Sequence, residues 1–326
     1  MTRVFSGIQP TGPVTLGNYL GALRRWVAAQ ADDDCMYCVV DLHALTVPHD
    51  PAELRALTME LATVLLAVGI EPERSTLFVQ SHVHEHAELA WLMECTASVG
   101  ELRRMTQFKE KSGDNEFVSG GLFAYPALMA ADILLYASEL VPVGDDQRQH
   151  LELARDLAER FNHRFGPTFV VPEAGIPAVG ARVMDLQDPT RKMSKTEESP
   201  QGVILVLEDP ATITRKIRRS VTDTETEVRY DPESKPGVSN LLAILGAATD
   251  QDPAALAEGY SQYGPLKADC AEAVVELLRP VQARYAELAA DPAGVAALLA
   301  TGAGKARSVA AATMERARHA VGLLPR

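Results

Sequence analysis

Through residues 1–190, short β-branched runs take turns with longer amphipathic stretches, and that alternation leaves few folds open. Strand-like segments fall at 3–6, 36–40, 75–80, 140–143 and 168–171, each bounded by turn residues. Apolar residues at helical spacing mark 19–30, 52–69, 86–98, 125–138 and 147–161. A helix of ten or more residues between two strands returns the chain to the end where it began, so the strands run parallel. The pattern predicts a parallel sheet carrying crossover helices.

After Pro189 the pattern changes. Residues 191–200 are polar and punctuated, as expected of a mobile loop, and from Pro210 onward the periodicity is almost wholly helical. Helices are predicted at 212–220, 238–248, 253–260, from 266 to about 290, and at 305–320. The expected fold class is α/β, with a Rossmann-like parallel-sheet domain over 1–190 and an all-helical second domain over 191–290. The last helix, 303–320, is expected to pack back on the first domain.

A net charge of −13, from 44 acidic and 31 basic residues, argues against a protein that coats nucleic acid non-specifically. A local basic patch is still compatible with it. Met1-Thr2-Arg3 runs straight into a strand-like segment, which is not the pattern of a signal peptide. The longest apolar stretch, 56–70, carries Glu60 and is too short to span a bilayer. Four cysteines in 326 residues make no disulfide framework, so a reduced, cytoplasmic protein is expected.

Three segments carry chemistry. Residues 7–21, Gly-Ile-Gln-Pro-Thr-Gly-Pro-Val-Thr-Leu-Gly-Asn-Tyr-Leu-Gly, follow the first strand and enter the first helix, where open α/β sheets bind ligands. Gly17 allows close approach of a backbone, and Asn18 can cap a helix start that attracts phosphate. A plain Gly/Pro turn reads equally well, and no G-x-G-x-x-G is present. Residues 191–196, Arg-Lys-Met-Ser-Lys-Thr, place two lysines where a loop could close on a triphosphate, or simply be solvated. Residues 143–147, Val-Gly-Asp-Asp-Gln, end a strand, and their acids suit ribose hydroxyls or a helix cap.

Together, in this order, the segments resemble a class I aminoacyl-tRNA synthetase. Thr15-Leu16-Gly17-Asn18 matches the HIGH-type segment, and Lys192 to Thr196 the KMSKS-type loop. The match continues through 41–47 (Asp-Leu-His-Ala-Leu-Thr-Val), 105–111 (Met-Thr-Gln-Phe-Lys-Glu-Lys), 125–136 (Tyr-Pro-Ala-Leu-Met-Ala-Ala-Asp-Ile-Leu-Leu-Tyr) and 235–242 (Lys-Pro-Gly-Val-Ser-Asn-Leu-Leu). Over essentially the whole chain it is similar to the bacterial-type tryptophanyl-tRNA synthetases. Two departures stand out: the HIGH-type segment lacks histidine, and the KMSKS-type loop ends in Thr196 instead of serine, keeping the hydroxyl.

The resemblance implies activation of L-tryptophan by ATP to tryptophanyl-adenylate, with release of pyrophosphate, then transfer to tRNA(Trp). It implies ATP contacts from Gln9, Pro10, Thr11, Gly17, Asn18, Gly144, Asp145, Asp146 and the backbone at Val183, with Thr15 beside them. Lys192, Met193, Ser194, Lys195 and Thr196 would close on the phosphates, with Lys111 a weaker candidate. Lys195→Ala is expected to slow adenylate formation by orders of magnitude with little effect on tryptophan affinity, in pre-steady-state kinetics. Mg²⁺ is implied by ATP and not by a carboxylate cage, and no metal-binding residue is assigned.

Tyr125, Met129, Asp132 and Tyr136 fall at i, i+4, i+7 and i+11, one face of a helix. A carboxylate on so apolar a helix needs a partner, and an ionised one accepts hydrogen bonds only. By resemblance Asp132 accepts the indole N–H, Met129, Phe5, Val141 and Val143 enclose the ring, and Tyr125, His43 and Gln147 line the same pocket. A site built around that hydrogen bond rejects an analogue lacking it by ~10⁴–10⁵-fold, without editing. Pairing of Asp132 inside the protein or at a subunit contact is the competing explanation.

Cys35-Met36-Tyr37-Cys38 has zinc-like spacing, but on a strand residues three apart face opposite ways. His82-Val83-His84-Glu85-His86 reads as a solvated loop. Basic residues gather at Arg215, Lys216, Arg218 and Arg219, near the anticodon by resemblance, and at Lys305, Arg307, Arg316 and Arg318; a solvated helix face explains either group as well. A homodimer is expected by resemblance and from the very apolar run 125–136. Competing readings are a tyrosyl enzyme, a nucleotidyltransferase making another adenylate, and a non-catalytic tryptophan-binding paralogue.

Overall fold

The structure, a computed structural model, describes residues 1–106, 108, 118–142, 144, 147–175, 182–194 and 200–325. Five parallel strands, β1 (Arg3–Ile8), β2 (Asp34–Val39), β3 (Thr76–Val79), β4 (Leu140–Pro142) and β5 (Glu173–Gly175), lie in the order β3-β2-β1-β4-β5. The chain builds outward from β1 on one side, then crosses to the other. The reversal falls between β1 and β4, which is where open sheets of this kind bind ligands, beyond the carboxyl ends of the strands.

In chain order the helices are α1 (Leu16–Asn18), running through a π-helical stretch, Tyr19–Leu23, into α2 (Arg24–Ala29), then α3 (Asp41–Ala44) and α4 (Pro51–Ala67). Next come α5 (Glu85–Thr96), α6 (Val99–Arg104), α7 (Gly120–Leu134) and α8 (Arg148–Phe165). The remainder is α9 (Pro210–Arg218), α10 (Pro236–Thr249), α11 (Pro253–Ala257), α12 (Tyr263–Ala289) and α13 (Pro292–Ala320).

Both faces of the sheet are covered along β1 to β4, while β5 is largely exposed. Val4, Cys35, Tyr37, Val39, Leu77 and Val79 enter one apolar cluster with α4, α10 and α12, while Phe5, Met36, Cys38, Phe78 and Val141 enter another with α5, α7 and α8. This is the period-two alternation of a strand with helices on either side. Cys35 and Cys38 accordingly point into different cores.

Two boundaries depart from expectation. The fifth strand lies at 173–175, not 168–171. Asn162, near the end of α8, accepts from Thr168 N and Phe169 N and donates to Phe169 O, and the Phe169 ring packs edge-on to Phe161 at 4.8 Å. Those bonds hold 168–169 on the helix instead of the sheet. The last helix begins at Pro292, well before 305, capped by Asp291 accepting from Gly294 N. It crosses the edge strand at Gly302, where a Cβ would come within 1.8 Å of the Leu77 carbonyl oxygen. Upstream, Val295 and Leu299 join one core; downstream, Ala303 to Ala317 join the other.

Candidate active site

Beyond β1, Gln9 is half-buried, Pro10 buried and Thr11 exposed. The chain then pairs with residues 204–206: Leu16 N donates to Ile204 O at 2.8 Å and Val206 N to Val14 O at 2.9 Å. Thr15, fully buried, is the helix cap, not Asn18 as expected. Its hydroxyl accepts from Asn18 N at 3.1 Å, while Asn18 Oδ1 accepts from Thr15 N at 3.1 Å. This reciprocal box satisfies two backbone donors at once and uses only the oxygen of the Asn18 amide.

Residues 183–193 form a narrow hairpin: Met193 N donates to Val183 O, Asp185 N to Arg191 O, and Met184 bridges Lys192. Asn240, buried on α10, grips it from behind. Met184 N donates to Asn240 Oδ1 and Asn240 Nδ2 to Met184 O, both at 2.9 Å. Val183 and Met193 are buried, Ser194 half-buried and Lys192 exposed. A Cβ on Gly17 would lie 3.6 Å from both Met193 Cβ and Met193 O, so the two signature segments adjoin. Lys195 and Thr196 lie outside the described residues, as do Lys111, Val143, Asp145 and Asp146. Gly144 is exposed, and its carbonyl accepts from Gln147 N at 3.0 Å.

On the other side of the site stands α7, capped by Ser119. Asp132 is only 2% exposed. Its Oδ1 accepts from Gln80 Nε2 at 2.7 Å and from His86 Nδ1 at 2.6 Å, and its Oδ2 meets His43 Nε2 at 2.8 Å. Burial pushes this carboxyl up, but the hydrogen bonds from His43 and His86 outweigh it and hold the group at about 2. An ionised carboxylate offers roughly four lone-pair sites. Among the described residues three are filled, and the fourth is on Oδ2.

Several of the residues expected in the pocket adjoin one another near this carboxylate. Phe5 stacks on Tyr136 at 5.5 Å, Val141 shares their cluster, half-buried Met129 packs against it, and the His43 ring sits edge-on to Tyr125 at 6.1 Å. Tyr136 lies just past the end of α7, and the Tyr125 hydroxyl meets His150 Nε2 at 2.6 Å. Gln147 is half-buried at the start of α8.

Three findings correct the sequence reading. His86 is not in a solvated loop: it is fully buried, with a partner on each ring nitrogen. Lys216 is not on a basic surface, since its Nζ is buried between Glu208 Oε1 at 2.5 Å and Val203 O at 2.7 Å. Lys305, Arg307 and Arg318 tie α13 to Pro72 O, His82 O and Glu88. Gln80, His86 and His150 had no motif to announce them. Among the described residues, no group of three or more His, Cys, Asp or Glu is placed to hold a metal, and no helix is long and apolar enough to cross a membrane.

Residues 1–279 match the family model for tRNA synthetases class I (W and Y). Tryptophan–tRNA ligase 1 of Streptomyces coelicolor is 57% identical, covering 100% of this chain and 98% of that protein. The crystal structure of tryptophanyl-tRNA synthetase from Mycoplasma pneumoniae superposes with a TM-score of 0.92 at 36% identity, covering 99% of this chain and 98% of that one. The enzyme from Campylobacter jejuni, solved with ADP and tryptophan, gives 0.85 at 34% identity, covering 99% and 100%.

Proposed function

Because the chain belongs to the class I tRNA synthetases for tryptophan and tyrosine, we propose that it is a tryptophan–tRNA ligase, activating L-tryptophan with ATP and passing it to tRNA(Trp). The observation that carries the choice of amino acid is the buried, ionised Asp132, an acceptor-only group with one open site beside an apolar cluster. Indole supplies a single N–H donor and a flat apolar ring, which such a site fits. Phe5, Met129, Val141 and Val143 take the ring, with Tyr125, His43 and Gln147 closing the pocket.

ATP occupies the adjoining ground between 9–18 and 183–194. Gln9, Pro10, Thr11, Gly17 and Asn18 meet it on one side, with Thr15 holding the helix start in shape, and the Val183 backbone faces the adenine. Gly144, Asp145 and Asp146 serve the nucleoside. Lys192, Met193, Ser194, Lys195 and Thr196 close on the triphosphate, with Lys111 in support. The tryptophan carboxylate attacks the α-phosphorus, pyrophosphate leaves, and charge gathering on it is met by the two lysines. Such chemistry depends on positioning, so no protein nucleophile is required. Mg²⁺ arrives on the phosphates of ATP, the usual way this ion reaches such sites.

The working division is a catalytic unit over 1–190, a loop and helical tRNA-binding unit over 191–290, and a terminal helix, 303–320, on the catalytic unit. Arg215, Arg218 and Arg219 are exposed and suit tRNA phosphates. A homodimer is supported by an apolar groove between α3, α5 and α7, lined by Leu45, Ala87, Ala90, Ala124 and Leu128, beside Trp91, which is 65% exposed. The protein acts in the cytoplasm, where aminoacyl-tRNA is consumed.

The test is tryptophan-dependent ATP–pyrophosphate exchange without tRNA, with tyrosine and phenylalanine alongside. Exchange with tryptophan alone is expected. Exchange with tyrosine would overturn the role of Asp132, and none at all from protein that still binds tryptophan would favour a binding paralogue.

A further inference from the structure

His86 stands outside every signature segment, yet it is as enclosed as any group around Asp132. It is fully buried, flanked by Phe78 at 6.0 Å and Tyr136 at 5.5 Å between ring centroids. Asp132 Oδ1 accepts from its Nδ1, and the Tyr136 hydroxyl meets its Nε2 at 2.7 Å. Because an ionised carboxylate only accepts, Nδ1 carries a proton; in the neutral ring Nε2 is then the acceptor of Tyr136 O–H. One tautomer satisfies both neighbours.

A carboxylate at the end of an aspartate side chain turns easily, since its last torsion is broad and two-fold. Here one oxygen is held from two sides. Gln80 Nε2 donates to Oδ1 as well, and its amide is itself fixed by Leu42 N donating to Gln80 Oε1 at 3.0 Å. Among the described residues Oδ2 has a single hydrogen-bond partner, His43, whose Nδ1 is buried and has none. The asymmetry gives the two oxygens different work.

We infer that His86 is a positioning residue: holding Oδ1 of Asp132 from a ring that Tyr136 fixes on its far side, it presents Oδ2 to the indole N–H. This rests on the reading of Asp132 as the acceptor of that N–H. His86 does not touch the substrate, and its effect is on preference for a ring that bears the donor.

The measurement compares tryptophan with its benzothiophene analogue, in which sulfur replaces the ring N–H, in ATP–pyrophosphate exchange with kcat/KM taken for each. His86→Leu is expected to reduce the preference for tryptophan by roughly 10–100-fold, the scale of one hydrogen bond to a charged group, through tryptophan KM with ATP KM unchanged. His86→Asn, whose Nδ2 replaces Nδ1, should recover most of it. Tyr136→Phe, which keeps the ring packing, should reduce it by about 2–5-fold, the scale of a neutral hydrogen bond, and decides the matter if His86→Leu does not fold. Equal losses for both substrates, or an unchanged preference in His86→Leu and Tyr136→Phe while Asp132→Asn loses it, would overturn the positioning role alone. An unchanged preference in Asp132→Asn would instead remove the premise.

Discussion

Asp132 concentrates the cost and the purpose of the pocket in one side chain. Asp132→Asn replaces an acceptor-only group with one that must also aim two N–H donors at Gln80, His86 or His43, all already donating. We expect kcat/KM for tryptophan to fall at least ~10²-fold, with ATP KM little changed, in the exchange assay. Stability should follow pH with a definite sign. The folded carboxyl titrates at about 2, below the ordinary value near ~3.9, so its contribution is full above that and drains as pH falls toward 2. That contribution is on the order of 2 kcal/mol. Urea midpoints of wild type and Asp132→Asn should therefore differ at pH 7 and 5 and draw together as pH falls through about 2. Asp132 and His43 were legible in the sequence, one as a charge on an apolar helix face and the other through resemblance. Gln80 and His86 were not, because they reach Asp132 across 52 and 46 residues. Three histidines at alternate positions give no local sign of which one turns inward.

At the scale of elements, the helices and strands follow the periodicities closely, because β1 to β3 meet helices on both faces and each long helix has one side to bury. The misplaced fifth strand shows the limit: 168–171 has strand chemistry, but Asn162 satisfies its backbone first. The early start of α13 was hidden by glycines at 294, 302 and 304, which weaken any helical signal. One of them is required by packing. In Gly302→Ala the new methyl would meet the backbone of Leu77, which cannot swing aside as a side chain can. A loss of roughly 1–3 kcal/mol is expected, read from denaturant midpoints. Asn240 makes the complementary case, an α10 side chain that acts on the hairpin before Lys192. Asn240→Ala removes both bonds to Met184. About 2 kcal/mol of stability should go with them, and adenylate formation should slow in single-turnover kinetics while tryptophan affinity holds.

The whole molecule carries a net charge of −13, so a nucleic-acid partner must be met by arginines on limited surfaces, against the general field. Total charge alone would point away from such a partner, and the sequence reading erred on α9 in counting Lys216 among the available cations. A large apolar exposure lies elsewhere, at Trp91 on α5 next to the groove formed with α3 and α7. If a second copy covers that groove, Trp91→Glu should weaken self-association by at least about tenfold, a typical effect at a buried aromatic anchor. Sedimentation equilibrium would register the shift toward monomer, and an unchanged dimer would place the contact elsewhere.

The passage of α13 over β3 has a consequence in time. β3 ends at Val79 and its cover at Ala320. At ~5–20 residues per second a ribosome needs roughly 10–50 s to travel between them. For that interval the nascent chain holds a sheet whose outer strand lacks its closing helix, and unpaired strand edges invite association with other chains. If the chain charges tRNA as proposed, a shortage of its own product slows the ribosome at tryptophan codons, both of which precede Leu92, so the delay falls before the exposed interval or near its beginning and leaves the rest of that interval unchanged.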